Sequence, residues 1–249
     1  MSRLKDKIIF IAGASSGMGR ETARRAGQEG ATVIVAARRF EACAALAKDI
    51  GPSAVALEMD GTNPDSVEAT LAEITRRFGK LDGAFNNLGS TFGMSRLHEM
   101  DLDLWHKALD TNLTAPFLLM RAELPLLIAA GGGAIINNSS VAGIAGTKNL
   151  ANYSASKWGL IGLGQSVALE YGDENIRVNT IAPGIIQTEK AMGMMETVPD
   201  FFVPIRAGIP GGRFGDMSDV ANLVTWLLSD EARYINGITI RVDGGQKAG

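Results

Sequence analysis

Cysteine and histidine are nearly absent from this chain, and their scarcity excludes two kinds of site. The 249 residues include a single cysteine, Cys43, so a scaffold held together by internal disulfides is excluded. We interpret Cys43 as a small apolar residue and expect a reducing, cytoplasmic compartment. The two histidines, His98 and His106, have no convincing partner ligands, so we expect surface histidines and no metal site.

A strong net charge and a long apolar run are also missing. The formal net charge is −3, which gives no electrostatic reason to expect a nucleic-acid partner. The first residues lack the apolar core of a signal peptide. The most apolar region, residues 113–130, is interrupted by Arg121, Glu123 and two prolines, so we expect no membrane span.

What the chain does have is a regular alternation of two patterns. Short apolar runs typical of buried strands cover residues 7–12, 31–37, 53–59, 81–85, 134–138, 177–181 and 239–242. Helical segments are predicted at residues 20–29, 40–49, 64–78, 102–130 and 151–172. Because no linker or repeat divides the chain, the alternation predicts a single α/β domain over residues 1–249, with helices on both faces of one parallel sheet.

The first predicted strand runs directly into a glycine-rich turn that precedes a helix. Gly13 permits the tight turn, and Gly17 and Gly19 allow backbone and phosphate to approach the helix N-terminus. A strand before the turn and a helix after it favour a dinucleotide site over an ordinary glycine-rich turn. The spacing is G-x-x-x-G-x-G rather than the commoner G-x-G-x-x-G.

The end of the second predicted strand bears on the choice of cofactor. Arg38 and Arg39 stand there, and no acidic residue follows until Glu41. An acid at this place would bind the free 2′-hydroxyl of NAD, whereas an arginine suits a 2′-phosphate. We therefore predict NADP(H). The alternatives are two solvated arginines at the start of a helix, or a preference for NAD(H).

Tyr153 and Lys157 are four residues apart in a predicted helix, so their side chains leave the same face. The ammonium group of Lys157 is expected to lower the pKa of Tyr153 below its usual value of ~10. A tyrosine tuned in this way can exchange a proton with a substrate oxygen. The alternative is a half-buried tyrosine beside a lysine that extends to water.

Together, these residues make the chain resemble the short-chain dehydrogenase/reductase family along nearly its whole length. The matching features are Gly13-x-x-x-Gly17-x-Gly19, Asp60, Asn86-Asn87-x-Gly89, Asn112, Ser140, Tyr153-x-x-x-Lys157 and Pro183-Gly184. The resemblance implies a Rossmann-like, doubly wound sheet of seven strands and a nicotinamide cofactor. It further implies an oxidoreductase that interconverts a ketone and a secondary alcohol, usually as a homotetramer.

The resemblance also implies roles for individual residues. Tyr153 would act as general acid and base, with Ser140 holding the substrate oxygen, Lys157 supporting Tyr153 and Asn112 holding a water. Cofactor contacts are expected from Gly13, Ser15, Ser16, Gly17, Met18, Gly19, Arg38, Arg39, Asp60, Gly61, Asn87, Gly89, Tyr153, Lys157, Pro183, Gly184, Ile186 and Thr188. Two departures stand out: Leu88 replaces the family's usual alanine, and Gly61 replaces a commonly β-branched residue.

Residues 187–212 lack clean periodicity and are rich in methionine and phenylalanine. The matching segment of the family closes over the substrate, so we expect a lid above a small-molecule substrate with an apolar body. The predicted pocket residues are Phe92, Met94, Ile144, Leu150, Met192, Met195 and Phe202. The alternative is that the methionines only pack a surface helix.

Residues 113–130 and 151–172 are predicted as helices that are too apolar for a monomer, so we expect a homotetramer assembled through the helices of residues 101–130 and 151–172. Two other functions remain open. A Rossmann-type sensor would hold NADPH without chemistry, and a dehydratase or epimerase could use the same scaffold.

Overall fold

The computed structural model describes residues 2–248 and contains one seven-stranded parallel sheet. The strands are β1 (Ile8–Ala12), β2 (Thr32–Ala37), β3 (Ala54–Glu58), β4 (Gly83–Asn86), β5 (Gly133–Asn138), β6 (Ile176–Pro183) and β7 (Thr239–Val242). Their order across the sheet is β3-β2-β1-β4-β5-β6-β7, and every pairing is parallel. The predicted α/β architecture is confirmed. The strand order reverses between β1 and β4, where doubly wound folds bind their ligands.

Helices cover both faces of this sheet. They are α1 (Gly17–Gln28), α2 (Phe40–Ile50), α3 (Pro64–Phe78), α4 (Leu102–Leu109), α5 (Ala115–Ala129), α6 (Ala151–Glu170), α7 (Glu189–Thr197), α8 (Pro199–Ala207) and α9 (Met217–Leu228). The alternation of side chains along β1 shows why two layers form. Ile9 and Ile11 pack into one core cluster with α1, α2 and α9, whereas Phe10 and Ala12 pack into another with α3, α5 and α6.

Two predicted segments differ in detail from the structure. The segment predicted as mostly helical, residues 102–130, contains a π-helical turn at Asp110–Thr114, which holds Asn112 in the interior. Residues 187–212 contain two short helices, α7 and α8, where no periodicity was recognised.

The segment Leu102–Ala129 has the length and composition that a membrane crossing would need. An 18-residue window within it has a mean hydropathy of 1.2. Half of that window is buried inside the fold, where α5 contacts α3, β4 and β5. Packing against the sheet and α3 therefore accounts for about half of the apolar segment.

Candidate active site

The glycine-rich turn after β1 has backbone angles and close contacts that a residue with a side chain could not adopt. A Cβ atom on Gly19 would overlap the carbonyl oxygen of Gly13 and lie 2.6 Å from Asn87 Nδ2. Gly13 and Gly17 have φ values of 80° and 59°, which side chains rarely adopt. Asn87 Nδ2 donates to Gly13 O at 3.0 Å, so the turn is tied to the loop after β4. The turn thus lies at a helix N-terminus, whose positive end suits the pyrophosphate of a dinucleotide.

The end of β2 presents the two arginines to the same cleft. Arg38 is exposed, and its charge helps to hold the pKa of Asp60 below the usual range, after the larger effect of a hydrogen bond from Thr62. Arg39 Nη2 donates to Ser15 Oγ at 3.1 Å, at the rim of the glycine turn. The side chain of Asp60 does not cap α3; Asn63 does, by accepting from two backbone amides of its first turn.

The side chain of Leu88 occupies the space next to Gly61. A Cβ atom on Gly61 would overlap Leu88 Cδ1, and a Cβ atom on Gly13 would lie 3.3 Å from Leu88 Cδ2. The large side chain of Leu88 therefore fills the space that a β-branched residue at position 61 would take. The two departures from the family pattern therefore compensate each other: the larger side chain at position 88 is matched by the missing side chain at position 61.

This exchange predicts a strong coupling between the two positions. Gly61→Val alone should destabilise the protein by about 2 kcal/mol because it overpacks the site. Leu88→Ala alone should open a small cavity, and the double variant should recover most of both losses. Urea unfolding of the four proteins measures the coupling. Additive losses in the double variant would contradict the volume exchange.

Tyr153 and Lys157 lie on the same face of α6, as their spacing predicted. Lys157 Nζ is 5.9 Å from the centroid of the Tyr153 ring and donates to the backbone oxygen of Asn138 at 2.6 Å. Burial lowers the pKa of Lys157 from 10.5 to about 7. A lysine with a pKa near 7 is only partly charged at neutral pH and is a weaker source of positive charge for its neighbour.

The expected lowering of the Tyr153 pKa is wrong as a net effect. Burial raises the pKa of Tyr153 above 10.0, and the hydroxyl of Ser140 opposes that rise without cancelling it. The amine of Lys157 points to the carbonyls at the ends of β5 and β4, Asn138 O and Leu88 O. The phenol is therefore held in its protonated form near neutral pH.

Ser140 and Ser139 have different surroundings. Ser140 begins a 3₁₀ turn, Val141–Gly143, and its side chain accepts from Ala142 N. Ser139 Oγ instead donates to the backbone oxygen of Lys157 at 2.9 Å, which ties β5 to α6. A Cβ atom on Gly143 would lie 2.8 Å from that same oxygen, so close packing of the turn against α6 brings Ser140 towards Tyr153.

Asn112 is fully buried and holds the loop after β4. Its Oδ1 accepts from Ser90 N at 2.9 Å, and its Nδ2 donates to Ser90 O at 3.0 Å. Beside it, a Cβ atom on Gly89 would lie 2.9 Å from Lys157 Nζ. The side chain of Asn112 thus has both of its polar ends occupied by backbone, while the expected water contact stays a prediction.

Two polar residues that sequence reasoning did not assign to the site also build it. Asn138 supplies the carbonyl that binds Lys157, and its Nδ2 donates to Asn87 Oδ1 at 2.8 Å. Asn152, which is 1% exposed, donates to the carbonyls of Phe92 and Leu104 and so ties α6 to α4 and to the loop that carries Phe92. Their sequence signal is slight: Asn152 is next to Tyr153, and Asn138 lies two residues before Ser140.

The start of the 187–212 segment contacts both rims of the cleft. Thr188 caps α7, and a Cβ atom on Gly17 would lie 3.2 Å from its methyl group. Glu189 accepts from Gly17 N at 3.2 Å and forms an ion pair with Arg20. On the other rim, Lys190 Nζ donates to Ser90 Oγ at 2.9 Å. The segment therefore passes across the cleft from the glycine turn to the loop after β4.

The remaining predicted residues are distributed around the cleft. Pro183 ends β6 and Gly184 follows it, and Ile186, which is 5% exposed, packs against Gly215. Phe202 and Met195 pack in a small apolar cluster with Ile209 and Phe214. Solvent-exposed or half-exposed positions are taken by Met94, Met192, Phe92 and Leu150. Ile144 lines a separate cavity of about 430 Å³ with Thr239, Arg241 and Lys247. Contact of these side chains with substrate stays a prediction.

Metal-binding clusters of histidine, cysteine or acidic residues do not occur within residues 2–248. His98 lies 3.5 Å from Glu99 and both side chains are largely exposed.

The chain is similar to known dehydrogenases and reductases over nearly its whole length. A family model described as enoyl-(acyl carrier protein) reductase matches residues 13–247. The chain is 36% identical to cyclohexanol dehydrogenase of Acinetobacter sp. (strain SE19) over 246 residues, which cover 98% of this chain and 96% of that protein. It is 37% identical to 3-oxoacyl-(acyl-carrier-protein) reductase of Escherichia coli (strain K12) over 239 residues, 96% of each. The crystal structure of levodione reductase has a TM-score of 0.93 at 32% identity and covers 99% of both chains.

Proposed function

Because this chain belongs to the short-chain dehydrogenase/reductase family and is an oxidoreductase with a nicotinamide cofactor, we propose that it interconverts a ketone and a secondary alcohol with NADP(H). Tyr153 is the general acid and base. The observation that carries this proposal is the grouping of Tyr153, Ser140 and Lys157 beside Gly89, at the carboxyl ends of β4 and β5.

The proton chemistry follows from the state of the two titratable groups. The nicotinamide ring, when bound, exchanges hydride with the substrate carbon. Tyr153 donates its proton to the substrate oxygen, and the Ser140 hydroxyl donates a hydrogen bond that stabilises the developing negative charge. Since burial raises the pKa of Tyr153, the group is protonated and ready to donate at neutral pH. Reduction is therefore favoured near neutrality and oxidation at alkaline pH.

The cofactor is held by the residues that line the cleft. Gly13, Gly17 and Gly19 accommodate the pyrophosphate, and Lys157 and Tyr153 lie at its nicotinamide end. Arg38 and Arg39 receive the 2′-phosphate, since both guanidinium groups stand at the end of β2, where the chain carries no acid before Glu41. Residues 187–212 form the lid, whose two attachments to the rims support closure over an apolar substrate.

The assembly is a homotetramer. The support is a set of large apolar side chains that α4, α5 and α6 leave exposed: Leu102, Phe117, Ile128, Trp158 and Leu169. Surfaces of this kind are covered in an oligomer more often than left in water.

Replacing Arg38 with aspartate should move the cofactor preference towards NADH. A charge-assisted hydrogen bond to the 2′-phosphate contributes about 1.5–3 kcal/mol, so the ratio of kcat/KM for NADPH to that for NADH should fall by about 10- to 100-fold. Steady-state kinetics with both cofactors measure the ratio. Arg233→Asp, the same charge change at an exposed site after α9, is the control; an unchanged ratio in Arg38→Asp would identify Arg38 as a solvated charge.

A further inference from the structure

One carboxyl group of the interior has no part in the proposed chemistry. Glu123 of α5 is 0% exposed. Its Oε2 accepts from Asn86 Nδ2 at 3.1 Å, at the end of β4. Burial raises the pKa of Glu123 to about 8, and the Asn86 hydrogen bond only partly opposes that rise.

Two acceptor atoms of this pair are left without a donor. Among the described residues, neither Glu123 Oε1 nor Asn86 Oδ1 has a hydrogen-bond partner, and both are buried. An ionised carboxylate has no hydrogen to offer, so it would leave both oxygens unsatisfied. A proton on Oε1 would be a donor for Oδ1, and it would complete a two-bond acid–amide pair with the bond that Asn86 already donates.

Two successive pairs of hydrogen-bonded asparagines at the ends of β4 and β5 connect Glu123 to Lys157. Asn86 Nδ2 also donates to Asn137 Oδ1 at 3.2 Å, and these two residues are register partners of β4 and β5. The next residues, Asn87 and Asn138, are bonded to each other at 2.8 Å. The backbone oxygen of Asn138 then binds Lys157. The position of the Lys157 amine therefore depends on the alignment of the two strand ends.

We propose that Glu123 is a positioning residue: as a neutral acid paired with Asn86, it aligns the ends of β4 and β5 and thereby sets Lys157 against Tyr153. The inference rests on the proposed function, since it gives Lys157 its catalytic place. The protonation of Glu123 itself is independent of any turnover.

Few charged groups surround the pair of Glu123 and Asn86. Lys157 of α6 is bound to Asn138 O, while Glu68 of α3 and Arg121 of α5 line the outer groove between α3 and α5.

The raised pKa of Glu123 makes the stability of the protein depend on pH. In the unfolded chain Glu123 loses its proton near pH 4.5, whereas in the folded protein it keeps the proton up to about pH 8. The contribution of Glu123 to stability therefore declines from pH 4.5 to 8 and stays low above it.

The first experiment tests the neutral acid. Glu123→Gln keeps one acceptor and supplies a permanent donor, so its unfolding midpoint in urea should exceed that of the wild type by a margin that widens from pH 5 to pH 8 and is then constant. The infrared band of a protonated carboxyl group, present at pH 6 in the wild type, should be missing from the variant. Glu68→Gln, at an exposed carboxylate of α3, is the control. A margin independent of pH would overturn the proposal.

The second experiment tests positioning. Glu123→Leu, similar in size and without polar atoms, should lower kcat at least fivefold and move the pH midpoint of kcat by at least half a unit, with the dissociation constant for NADPH within twofold. Glu123→Gln should restore both kinetic values.

A folded Glu123→Leu protein with wild-type kcat and pH midpoint would overturn the positioning role. If Glu123→Leu does not fold, the kinetic test passes to Asn137→Leu, which breaks the same layer and must show the same shift. An inactive wild type that still shows the widening margin would reject the proposed function and not the neutral acid.

Discussion

Replacing Tyr153 with phenylalanine is expected to lower kcat for ketone reduction by about a thousandfold or more. General acid catalysis by a placed side chain contributes about 10²–10⁴ in rate, and this change removes the proton while it keeps the ring. The dissociation constant for NADPH should stay within twofold, because the glycine turn and the end of β2 are untouched. Single-turnover kinetics and cofactor fluorescence titration measure the two quantities.

The matched control is Tyr171→Phe, which removes a hydroxyl from the other end of the same helical segment, where Tyr171 packs against the core. It should leave kcat unchanged. A Tyr153→Phe enzyme that keeps a tenth of the wild-type rate would contradict the proton-transfer role. Binding of NADPH by a wild type that turns over no ketone would instead favour the sensor, and product formed without net cofactor use would favour a dehydratase or epimerase.

The pH profile of alcohol oxidation gives a second readout of the same residue. Oxidation requires the phenolate of Tyr153, and burial raises the pKa of that group, so the rate should climb through the alkaline range. The climb should be missing in Tyr153→Phe.

The sheet could be predicted from the sequence because buried parallel strands are marked by local apolar composition. The predicted seventh strand, residues 239–242, agrees with β7 to the residue, and the other strands differ by one or two residues at their ends. The motif residues could be placed for a similar reason, since parallel strands bring their carboxyl ends to one edge.

What could not be predicted depends on contacts between distant segments. The compensation between Gly61 and Leu88 crosses the cleft, and neither residue alone signals the other. The carbonyl of Asn138 that binds Lys157 belongs to the backbone, which every residue carries. The sign of the Tyr153 pKa shift was missed because spacing reveals a neighbouring charge but not the burial of both groups, which here has the larger effect.

Gly19→Ala is expected to lower the affinity for NADPH by about 50-fold or more, which corresponds to about 2.3 kcal/mol. The added methyl group would overlap Gly13 O and crowd Asn87 Nδ2, and it therefore displaces both the turn and the asparagine that ties it to β5. Alanine favours a helix over glycine by about 1 kcal/mol, so helix propensity acts in the opposite direction. Gly162→Ala in α6, where an added Cβ meets no atom within 4 Å, is the control and should bind NADPH normally. Equal NADPH affinity in the two variants would show that close approach at Gly19 is not what shapes the dinucleotide site.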